Sequence, residues 1–362
     1  MKIKKIAIVG TNGIPAQYGG YETLAENLTY NLNSDYDFIV YCSKKNQKSK
    51  LSSYNNSKLI YINLNANGWQ SIPYDIFALF HASFTADIIL YLGPGAGFIC
   101  PLISLINKNI IINHGGLNEW ERLKYNKFKK YIAKIGHKYS GKYAKFNIAD
   151  NEQLKRSLKL NFNLESIVIR YGGDHVINHN TEIEILRNYE FNRVDYFINV
   201  SRAQVDNNLH LVLNAFEKTP NCYLVIISNW NISQYGAELK EKYLNKFKNI
   251  FILDAIYDKS ILNELRKNAK CYIHSHSYCG TSPSLVEAMN LGLPILSYKV
   301  ETNLETTQNS AIYFNDTNEL ISILQNIDTF NLDENSKNML KIAKKEYTWL
   351  HISNLYSNLF NS

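Results

Sequence analysis

The chain has 362 residues with a formal net charge of +7, and 45% of its residues are apolar while 20% are charged. This length exceeds the size at which a single hydrophobic core stops growing, so it predicts two domains. The composition is that of a globular protein, and no apolar run approaches the roughly 20 residues that a membrane-spanning helix needs. The basic N-terminus leads into an apolar segment too short for a signal peptide, and we interpret that segment as a first strand.

The cysteines are scattered along the chain and are odd in number: Cys42, Cys100, Cys222, Cys271 and Cys279. No two of them have the Cys-x-x-Cys spacing that is typical of metal-binding and redox motifs. This pattern indicates a reducing cytoplasm and argues against a structural zinc site.

Short apolar runs alternate with helical patterns in the first half, which predicts a parallel sheet with helices on both faces. The predicted strands there are residues 5–10, 38–42, 59–63, 87–92, 109–113, 145–149 and 166–170, and the predicted helices include 21–32, 73–84 and 119–141. A polar stretch without periodicity, residues 175–192, separates this series from a second one. The second series has predicted strands at 196–200, 223–228, 250–253, 271–273, 294–297 and 311–314.

We therefore expect an α/β fold of two Rossmann-like doubly wound domains, residues 1–174 and 175–345, that face each other across a cleft. Apolar residues recur at helical spacing in the last segment, 344–360, and predict a packing helix. We expect residues 346–362 to form this helix and to return to the N-terminal domain.

The loop after the first strand, residues 10–20, contains four glycines and lies where open α/β sheets bind their ligands. It lacks the Gly-x-Gly-x-x-Gly spacing of a dinucleotide site and the Gly-Lys-Ser/Thr of a nucleoside-triphosphate loop, which argues against a nicotinamide enzyme and a kinase. The pair Gly19 and Gly20 either lets a substrate approach the backbone closely or only shapes a turn.

The segment after the fifth strand carries several polar and aromatic side chains on the same edge of the sheet. His114 either hydrogen-bonds a sugar hydroxyl or a phosphate or serves as a structural hydrogen-bonding group. Four further side chains offer polar and stacking groups for an acceptor sugar: Asn118, Glu119, Trp120 and Arg122. Asn118 and Glu119 also suit the start of a helix, and both interpretations stay open.

The second half has two loops of the same kind. Arg202 follows the strand 196–200 and can offer a bidentate fork to a diphosphate, or it is an ordinary surface arginine. The stretch 272–297 is predicted to run from a strand through a loop of small residues into a helix that starts near Ser284 and carries Glu287 in its first turn. Free N–H groups at such a helix start bind anions, although many α/β proteins have strand-to-helix loops without a ligand.

Nine lysine and arginine residues interleave with aromatic and aliphatic residues between Arg122 and Lys145, and no acidic residue interrupts them. This basic stretch either lies on an anionic membrane surface or forms a solvated helix face. Nucleic acid is a weaker interpretation, because no recognition motif accompanies the charge.

Six motifs follow one another along the chain at residues 10–22, 116–122, 149–152, 171–174, 201–208 and 276–289. In this order they resemble the motifs of retaining glycosyltransferases of family four with the GT-B fold, and within that family a bacterial rhamnosyltransferase-like subgroup of capsule and cell-surface polysaccharide synthesis. The resemblance covers nearly the whole chain, and its specific parts are the opening glycine motif and the run Gly-Thr-Ser-Pro-Ser-Leu-Val-Glu-Ala-Met.

The resemblance implies a donor site mainly in the C-terminal domain and an acceptor site on the N-terminal domain. Glu287 would accept hydrogen bonds from the donor ribose, and His114 would contact the donor sugar. The diphosphate would be held by Arg202 and by backbone amides of the loop and helix start, and the donor site as a whole would comprise Gly19, Gly20, Arg202, Gly280, Thr281, Ser282, Ser284, Leu285 and Glu287. The acceptor would bind at Tyr18, Asn118, Glu119, Trp120 and Arg122.

Two positions depart from the broader family. Cys279 replaces a glutamate eight residues before Glu287, and residues 204–208 contain no lysine after Arg202. The expected reaction is transfer of a hexose or 6-deoxyhexose, with rhamnose from dTDP-rhamnose preferred, to a lipid-linked oligosaccharide. No metal and no cofactor beyond the nucleotide-sugar substrate are expected. No nucleic-acid partner is expected either.

The expected location is the cytoplasm, peripheral at the inner face of the bacterial plasma membrane through residues 122–145. A transferase that uses another UDP- or GDP-sugar, a sugar-nucleotide epimerase and a non-catalytic nucleotide-sugar binder remain as alternatives.

Overall fold

The computed structural model describes residues 3–17, 19–47, 50–121, 126–177 and 189–362, without the side chain of Glu119. The chain divides into two compact units. Unit 1 comprises Met1–Tyr171 and Trp349–Ser362, and unit 2 comprises Gly172–Thr348. The boundaries proposed from the sequence lie at residues 174 and 345, each three residues from a division in the structure.

Unit 1 contains an eight-stranded sheet with the strand order β3-β4-β2-β1-β5-β6-β7-β8, in which only the β3–β4 pair is antiparallel. The strands are β1 (Lys4–Val9), β2 (Tyr36–Ser43), β3 (Ser53–Tyr54), β4 (Ser57–Ile62), β5 (Ile88–Leu92), β6 (Ile110–Asn113), β7 (Phe146–Ala149) and β8 (Ile167–Val168). The helices are α1 (Gly20–Leu32), α2 (Ser71–Thr85), α3 (Cys100–Ile106), α4 (Lys127–Tyr143), α5 (Glu152–Phe162) and, from the end of the chain, α13 (Trp349–Asn361).

Apolar side chains of this sheet are buried on both of its faces. One face packs against α2 and α3 through residues such as Ala78, Leu79 and Ile103. The other packs against α1 and α13 through residues such as Leu28 and Ile352. Continuous apolar strands such as Ile88–Leu92 follow from this two-sided burial.

Unit 2 contains a six-stranded parallel sheet with the strand order β11-β10-β9-β12-β13-β14. The strands are β9 (Tyr196–Val200), β10 (Tyr223–Ser228), β11 (Ile250–Asp254), β12 (Cys271–His274), β13 (Ile295–Tyr298) and β14 (Ile312–Phe314). The helices are α6 (Leu209–Glu217), α7 (Gln234–Tyr243), α8 (Lys259–Lys267), α9 (Pro283–Asn290), α10 (Glu301–Thr306), α11 (Thr317–Gln325) and α12 (Leu332–Glu346). Both units are therefore Rossmann-like α/β domains with parallel sheets, as the sequence predicted.

Two predicted helices have other bounds. The predicted helix 119–141 is a short 3-10 turn at Glu119–Glu121 followed by α4, which begins at Lys127. Asn126 starts α4 because its side chain accepts a hydrogen bond from the N–H of Lys129 at 2.9 Å. The predicted helix 344–360 is interrupted between α12 and α13 at residues 347–348.

The sequence prediction missed the β3–β4 hairpin. Its turn residues Asn55 and Asn56 have φ angles of 49° and 56°. Asparagine tolerates this left-handed region, and two such residues form the tight turn that suits a hairpin. The Asn55-Asn56 pair was the signal in the sequence that could have predicted this turn.

Within the described residues, no helix combines the length and apolarity that crossing a bilayer requires.

Candidate functional site

In unit 2, the loops that follow β9 and β12 are hydrogen-bonded to each other at the carboxyl edge of the sheet. The Ser277 N–H donates to the Asp206 carbonyl at 2.9 Å, and the Ser275 hydroxyl donates to the Asn207 carbonyl at 2.6 Å. The Asn208 side-chain amide donates back to the Ser275 carbonyl at 3.1 Å. These bonds fix residues 201–208 beside residues 275–282, two segments that the sequence predicted to act together.

Arg202 lies in the first of these loops with an exposed side chain. Its carbonyl accepts hydrogen bonds from the Asn207 side chain and the Gln204 N–H, so the backbone is held in place. Among the described residues its guanidinium has no hydrogen-bond or ion-pair partner. A fixed backbone that carries an unengaged guanidinium suits an external anion.

The start of α9 supplies fewer free amides than predicted. Pro283 is the first helical residue and has no N–H, while the N–H groups of Leu285 and Val286 both donate to the Ser282 carbonyl. The Leu285 amide at 3.1 Å is therefore engaged within the protein. The prediction that the Leu285 amide binds a diphosphate is therefore wrong. Gly280, Thr281 and Ser282 of the preceding loop are buried.

Glu287 is the fifth residue of α9, so it lies in the second helical turn and not in the predicted first one. Its carboxylate contacts the Arg266 guanidinium at 2.7 Å and the His175 Nε2 at 3.3 Å. Burial alone would raise the pKa of Glu287, but the Arg266 charge and the His175 ring outweigh burial and lower it. The carboxylate is thus ionised and firmly oriented, and its oxygens retain lone pairs for further donors.

Sequence reasoning missed Arg266 and His175. Arg266 is almost fully buried, and its Nε has no hydrogen-bond partner among the described residues. It is one of the four buried residues of α8, at positions 263–266, so the helix places a charge on a face that turns inward. A charged residue on a buried helix face was the signal that could have identified Arg266. No local pattern in the sequence indicates that His175 contacts Glu287.

His274, His276 and Cys279 form a cluster at the end of β12, with ring nitrogens and the sulfur all within 4.8 Å of one another. Neither ring nitrogen of the fully buried His274 makes a hydrogen bond of normal geometry. Burial lowers the pKa of His274 to about 3, although the Asn303 amide partly offsets this effect. Two imidazoles and a thiol are donors that zinc accepts, so these are the residues that could hold a metal ion.

In unit 1, the glycine-rich loop after β1 folds around the side chain of Glu22. The Glu22 carboxylate accepts hydrogen bonds from the backbone and side-chain nitrogens of Asn12, both at 2.7 Å. Gly19 has a φ of 132°, and a Cβ there would lie 1.9 Å from a Glu22 carboxylate oxygen. The close approach of Glu22 therefore explains why position 19 is a glycine, whereas Gly20 is the first residue of α1.

The loops after β5 and β6 both approach Tyr21, the second residue of α1. A Cβ at Gly115 would lie 1.8 Å from the Tyr21 hydroxyl, and a Cβ at Gly93 would lie 2.8 Å from its ring. Both glycines have a positive φ. The carboxyl edge of the unit 1 sheet is therefore closely packed around one tyrosine.

His114 is fully buried. Its Nε2 is 2.9 Å from the Asn147 Oδ1, and because that oxygen only accepts, Nε2 carries the proton. Its Nδ1 then accepts from His137 Nδ1, also at 2.9 Å. Burial lowers the pKa of His114 to about 4. No ring nitrogen is left for a ligand, so the predicted contact with the donor sugar is wrong, and His114 is a structural hydrogen-bonding group.

Trp120 is also buried, with its ring packed edge-on against His137 and Phe162 at 4.8 Å between centroids. Its predicted stacking on an acceptor sugar is wrong, because both neighbours are protein rings. Asn118 has a φ of 38° and bonds Glu121 and Ser157 through its side chain. The side chain of Glu119 and the residues Tyr18 and Arg122 lie outside the described part of the chain.

The two α/β units define a fold class, the GT-B fold. Residues 182–347 match the family described as glycosyl transferases group 1. Residues 3–174 match a domain of unknown function, DUF1972. Residues 182–347 are thus similar to group 1 glycosyltransferases, and the fold of the chain is that of GT-B structures.

Solved structures with the same fold cover nearly the whole chain. The sucrose-phosphate synthase of Thermosynechococcus elongatus has a TM-score of 0.81 at 15% identity, and the match covers 99% of this chain and 98% of that one. Anabaena HepE in complex with UDP has a TM-score of 0.75 at 13% identity, over 99% and 100%. WaaG, a glycosyltransferase involved in lipopolysaccharide biosynthesis, has a TM-score of 0.71 at 13% identity, over 98% and 99%.

A similar curated sequence is an uncharacterized glycosyltransferase of Methanocaldococcus jannaschii, MJ1059. It is 25% identical over 195 residues, which are 51% of this chain and 47% of that protein. The chain thus spans about half the length of this relative.

Proposed function

We propose that the protein is an active retaining glycosyltransferase that moves a hexose or 6-deoxyhexose from a nucleotide sugar to a lipid-linked oligosaccharide in surface polysaccharide synthesis. The observation that carries the proposal is the pair of cross-bonded loops after β9 and β12 within a group 1 domain, with Arg202 unengaged among the described residues. Rhamnose from dTDP-rhamnose is the preferred donor, on the motif resemblance described above.

The nucleotide part of the donor is assigned to unit 2. Arg202 would pair with the diphosphate, and the loop of small residues 280–284 would lie against it at the start of α9, where the helix dipole favours negative charge. The oriented Glu287 carboxylate would accept hydrogen bonds from the ribose hydroxyls. The acceptor is assigned to unit 1.

In the proposed reaction the bond between the anomeric carbon and the diphosphate oxygen breaks, and a bond to the acceptor oxygen forms on the same face of the sugar. The nucleoside diphosphate leaves with the bonding electron pair, and the acceptor hydroxyl loses its proton to it. Positioning and stabilisation of the departing negative charge then provide the catalysis, and Arg202 supplies a cation for that charge. A carboxylate pair flanking the bond, as in glycoside hydrolases, is not required.

We further propose that catalysis is independent of metal ions, because Arg202 and the helix start already offer positive charge to a diphosphate. The cluster of His274, His276 and Cys279 makes this testable. A chelator should leave turnover unchanged. Metal independence would be rejected if a chelator abolished activity, zinc restored that activity, and a Cys279→Ser variant had no activity.

A UDP-sugar is the second candidate donor. The specific observation in its favour is that a structure with the same fold, Anabaena HepE, was solved in complex with UDP and glucose, with a TM-score of 0.77. A sugar-nucleotide epimerase and a non-catalytic binder remain the alternatives from other classes.

We infer that the lipid-linked acceptor brings the protein to the inner face of the plasma membrane as a peripheral protein, with the basic stretch 122–145 at the lipid surface. The lysines of α4 support this inference, whereas residues 122–125 lie outside the described part of the chain.

The deciding experiment incubates purified protein with dTDP-, UDP- and GDP-sugars and a synthetic lipid-linked acceptor. Donor-dependent extension of the acceptor is expected, with Arg202→Gln reducing kcat more than about ten-fold because a cation at the leaving group is lost. Lys299→Gln, another exposed cation of unit 2, is the matched control. Donor interconversion without acceptor would indicate the epimerase, and donor binding without turnover would indicate the non-catalytic binder.

A further inference from the structure

One surface of unit 1 exposes large apolar side chains on three helices that contact one another. α3 packs against both α2 and α4. We call their outer surface the docking face and define it by the exposed residues Phe77, Phe80, Phe84, Leu102, Leu105, Ile106, Phe128 and Tyr131. A contiguous exposed apolar patch on a folded protein marks an interaction site.

α2 carries apolar residues on two opposite sides of the helix. Ala78, Leu79 and Ala82 pack into the core of unit 1. Phe77 and Phe84 are seven residues apart on the opposite side of the helix, where they are 62% and 66% exposed. An ordinary surface helix would place polar residues there.

The short helix α3 continues the apolar surface. Ile103 is buried in the core, whereas Leu102 and Leu105 are exposed, Leu105 by 79%. Neither side chain has a role in the packing of unit 1 that would explain its size.

The docking face is also strongly basic. α4 carries Lys127, Lys129, Lys130, Lys134, Lys138 and Lys142 and no acidic residue. The one acidic residue of α2, Asp75, is buried and accepts a hydrogen bond from the Tyr91 hydroxyl at 2.8 Å. α3 has no acidic residue. The three helices therefore present apolar groups and cations without an exposed carboxylate.

We propose that the docking face binds the surface of an anionic lipid bilayer, with the aromatic and leucine side chains of α2 and α3 inserted among the lipids and the lysines of α4 at the headgroups. Apolar side chains beside a cationic rim are the combination that holds proteins at such an interface. The apolar part of the docking face lies on α2 and α3, outside the basic stretch 122–145. It makes the proposed lipid-binding surface broader than the basic stretch alone.

A second copy of the chain is the competing occupant. A symmetric contact through this face would bring the lysines of one α4 toward those of the other, with no carboxylate on these helices to compensate them. Like charges in such a contact oppose association, whereas anionic lipid compensates all of them at once.

The inference deepens the proposed function, since it rests on a lipid-linked acceptor for its biological purpose. Its test contains neither donor nor acceptor. Failure to bind lipid would leave the transferase assay untouched, and failure of that assay would leave lipid binding to be judged on its own.

The experiment is sedimentation of the full chain with vesicles of phosphatidylcholine alone and with vesicles of equal parts phosphatidylcholine and phosphatidylglycerol. Binding to the anionic vesicles, weakened by salt, is the expected result. The Phe77→Ser/Phe84→Ser variant should lower the partition coefficient more than about ten-fold, because burial of two phenylalanines is lost. Lys134→Gln/Lys138→Gln should lower it about five-fold for each lysine.

Matched controls lie outside the docking face. Leu160→Ser/Leu350→Ser removes two apolar side chains of unit 1 that are 85% and 63% exposed, and Lys337→Gln/Lys341→Gln removes two exposed lysines of α12. Both should bind like the unmodified protein. The proposal is overturned by absence of binding to anionic vesicles, by equal losses in face and control variants, or by a dimer in light scattering that Phe77→Ser/Phe84→Ser dissociates.

Discussion

The Glu287 carboxylate joins α8 and α9 of unit 2 to the segment that contains His175. Its partner Arg266 is only 3% exposed in its side chain, so the ion pair is desolvated. A buried pair of this kind contributes little net stability, but loss of one partner leaves an uncompensated charge. A variant of Glu287 therefore changes stability in addition to any effect on the proposed donor binding, and the two effects have to be measured apart.

Glu287→Gln should destabilise unit 2 by about 3 kcal/mol, because the buried Arg266 loses its counter-charge. It should also raise the KM for the donor strongly if the carboxylate binds ribose. Urea unfolding and steady-state kinetics measure the two effects.

The double variant Arg266→Met/Glu287→Leu separates the two roles, because replacing both partners by apolar groups removes the unpaired charge. Recovered stability with a KM still raised supports direct contact with the donor. If stability and KM recover together, the ribose assignment is refuted and Glu287 acts only through the structure.

Buried histidines make the stability of the protein depend on pH. The pKa of His114 falls from 6.5 to about 4, and that of His137 also lies well below its usual value because burial disfavours the charged ring. The unfolded chain binds more protons below the unfolded pKa, so the stabilisation is complete above it and is lost as the pH falls toward the folded value.

Acidification from about pH 7 to about pH 5 should therefore lower the free energy of unfolding, on the order of 2 kcal/mol from His114 alone. Urea titrations at a series of pH values measure this slope. A His137→Phe variant removes one of the two rings and should show a shallower slope. A free energy that stays constant over this interval would contradict the buried, neutral histidine pair.

At the scale of elements, the glycine-rich loop and α1 form one structure in unit 1. Glu22 extends from the first turn of α1 back to Asn12, and Gly19 leaves the space that this carboxylate occupies. The glycine and the glutamate depend on each other. A side chain at position 19 would disturb the start of α1 and the loop together.

Gly19→Ala should destabilise unit 1 by about 2 kcal/mol or more, because the new Cβ meets the Glu22 carboxylate in addition to the backbone strain. Gly68→Ala is the control, since Gly68 also has a positive φ but no heavy atom within 4 Å of a Cβ. Thermal unfolding should show a larger drop in Tm for Gly19→Ala. Equal drops would mean that backbone strain alone explains the effect.

Elements whose signal is local were predictable from the sequence. β9 and β10 have the predicted bounds, because their mainly apolar runs are followed directly by polar residues. The partners of the site residues were not predictable. Arg266 and Glu287 are 21 residues apart and meet only through the packing of α8 and α9, and the burial of His114 depends on His137 and Asn147 from other elements.

At the scale of the whole molecule, unit 1 is built from two separate pieces of chain. α13 supplies Trp349, Ile352, Tyr356 and Phe360 to the core that α1 and the sheet also form. The Asn113 side chain donates to the Tyr356 hydroxyl at 2.7 Å, so the end of the chain reaches a residue that directly precedes His114. The whole of unit 2 lies between these pieces in sequence.

Trp349→Ala should destabilise unit 1 by about 3–5 kcal/mol, because a buried indole packed against Tyr171 is lost. Leu350→Ala, at the exposed neighbouring position, is the control and should change stability little. Limited proteolysis with identification of the fragments would assign the loss to unit 1. Preferential cleavage within unit 2 would contradict this placement of the core.

The return of α13 has a consequence for the order of folding. During synthesis the first 171 residues emerge without the helix that completes one face of their sheet, while unit 2 leaves the ribosome with all its elements in one continuous stretch. Unit 2 can therefore reach its native structure first, although it is made second. Nascent unit 1 leaves the apolar residues that α13 covers exposed until that helix has been made.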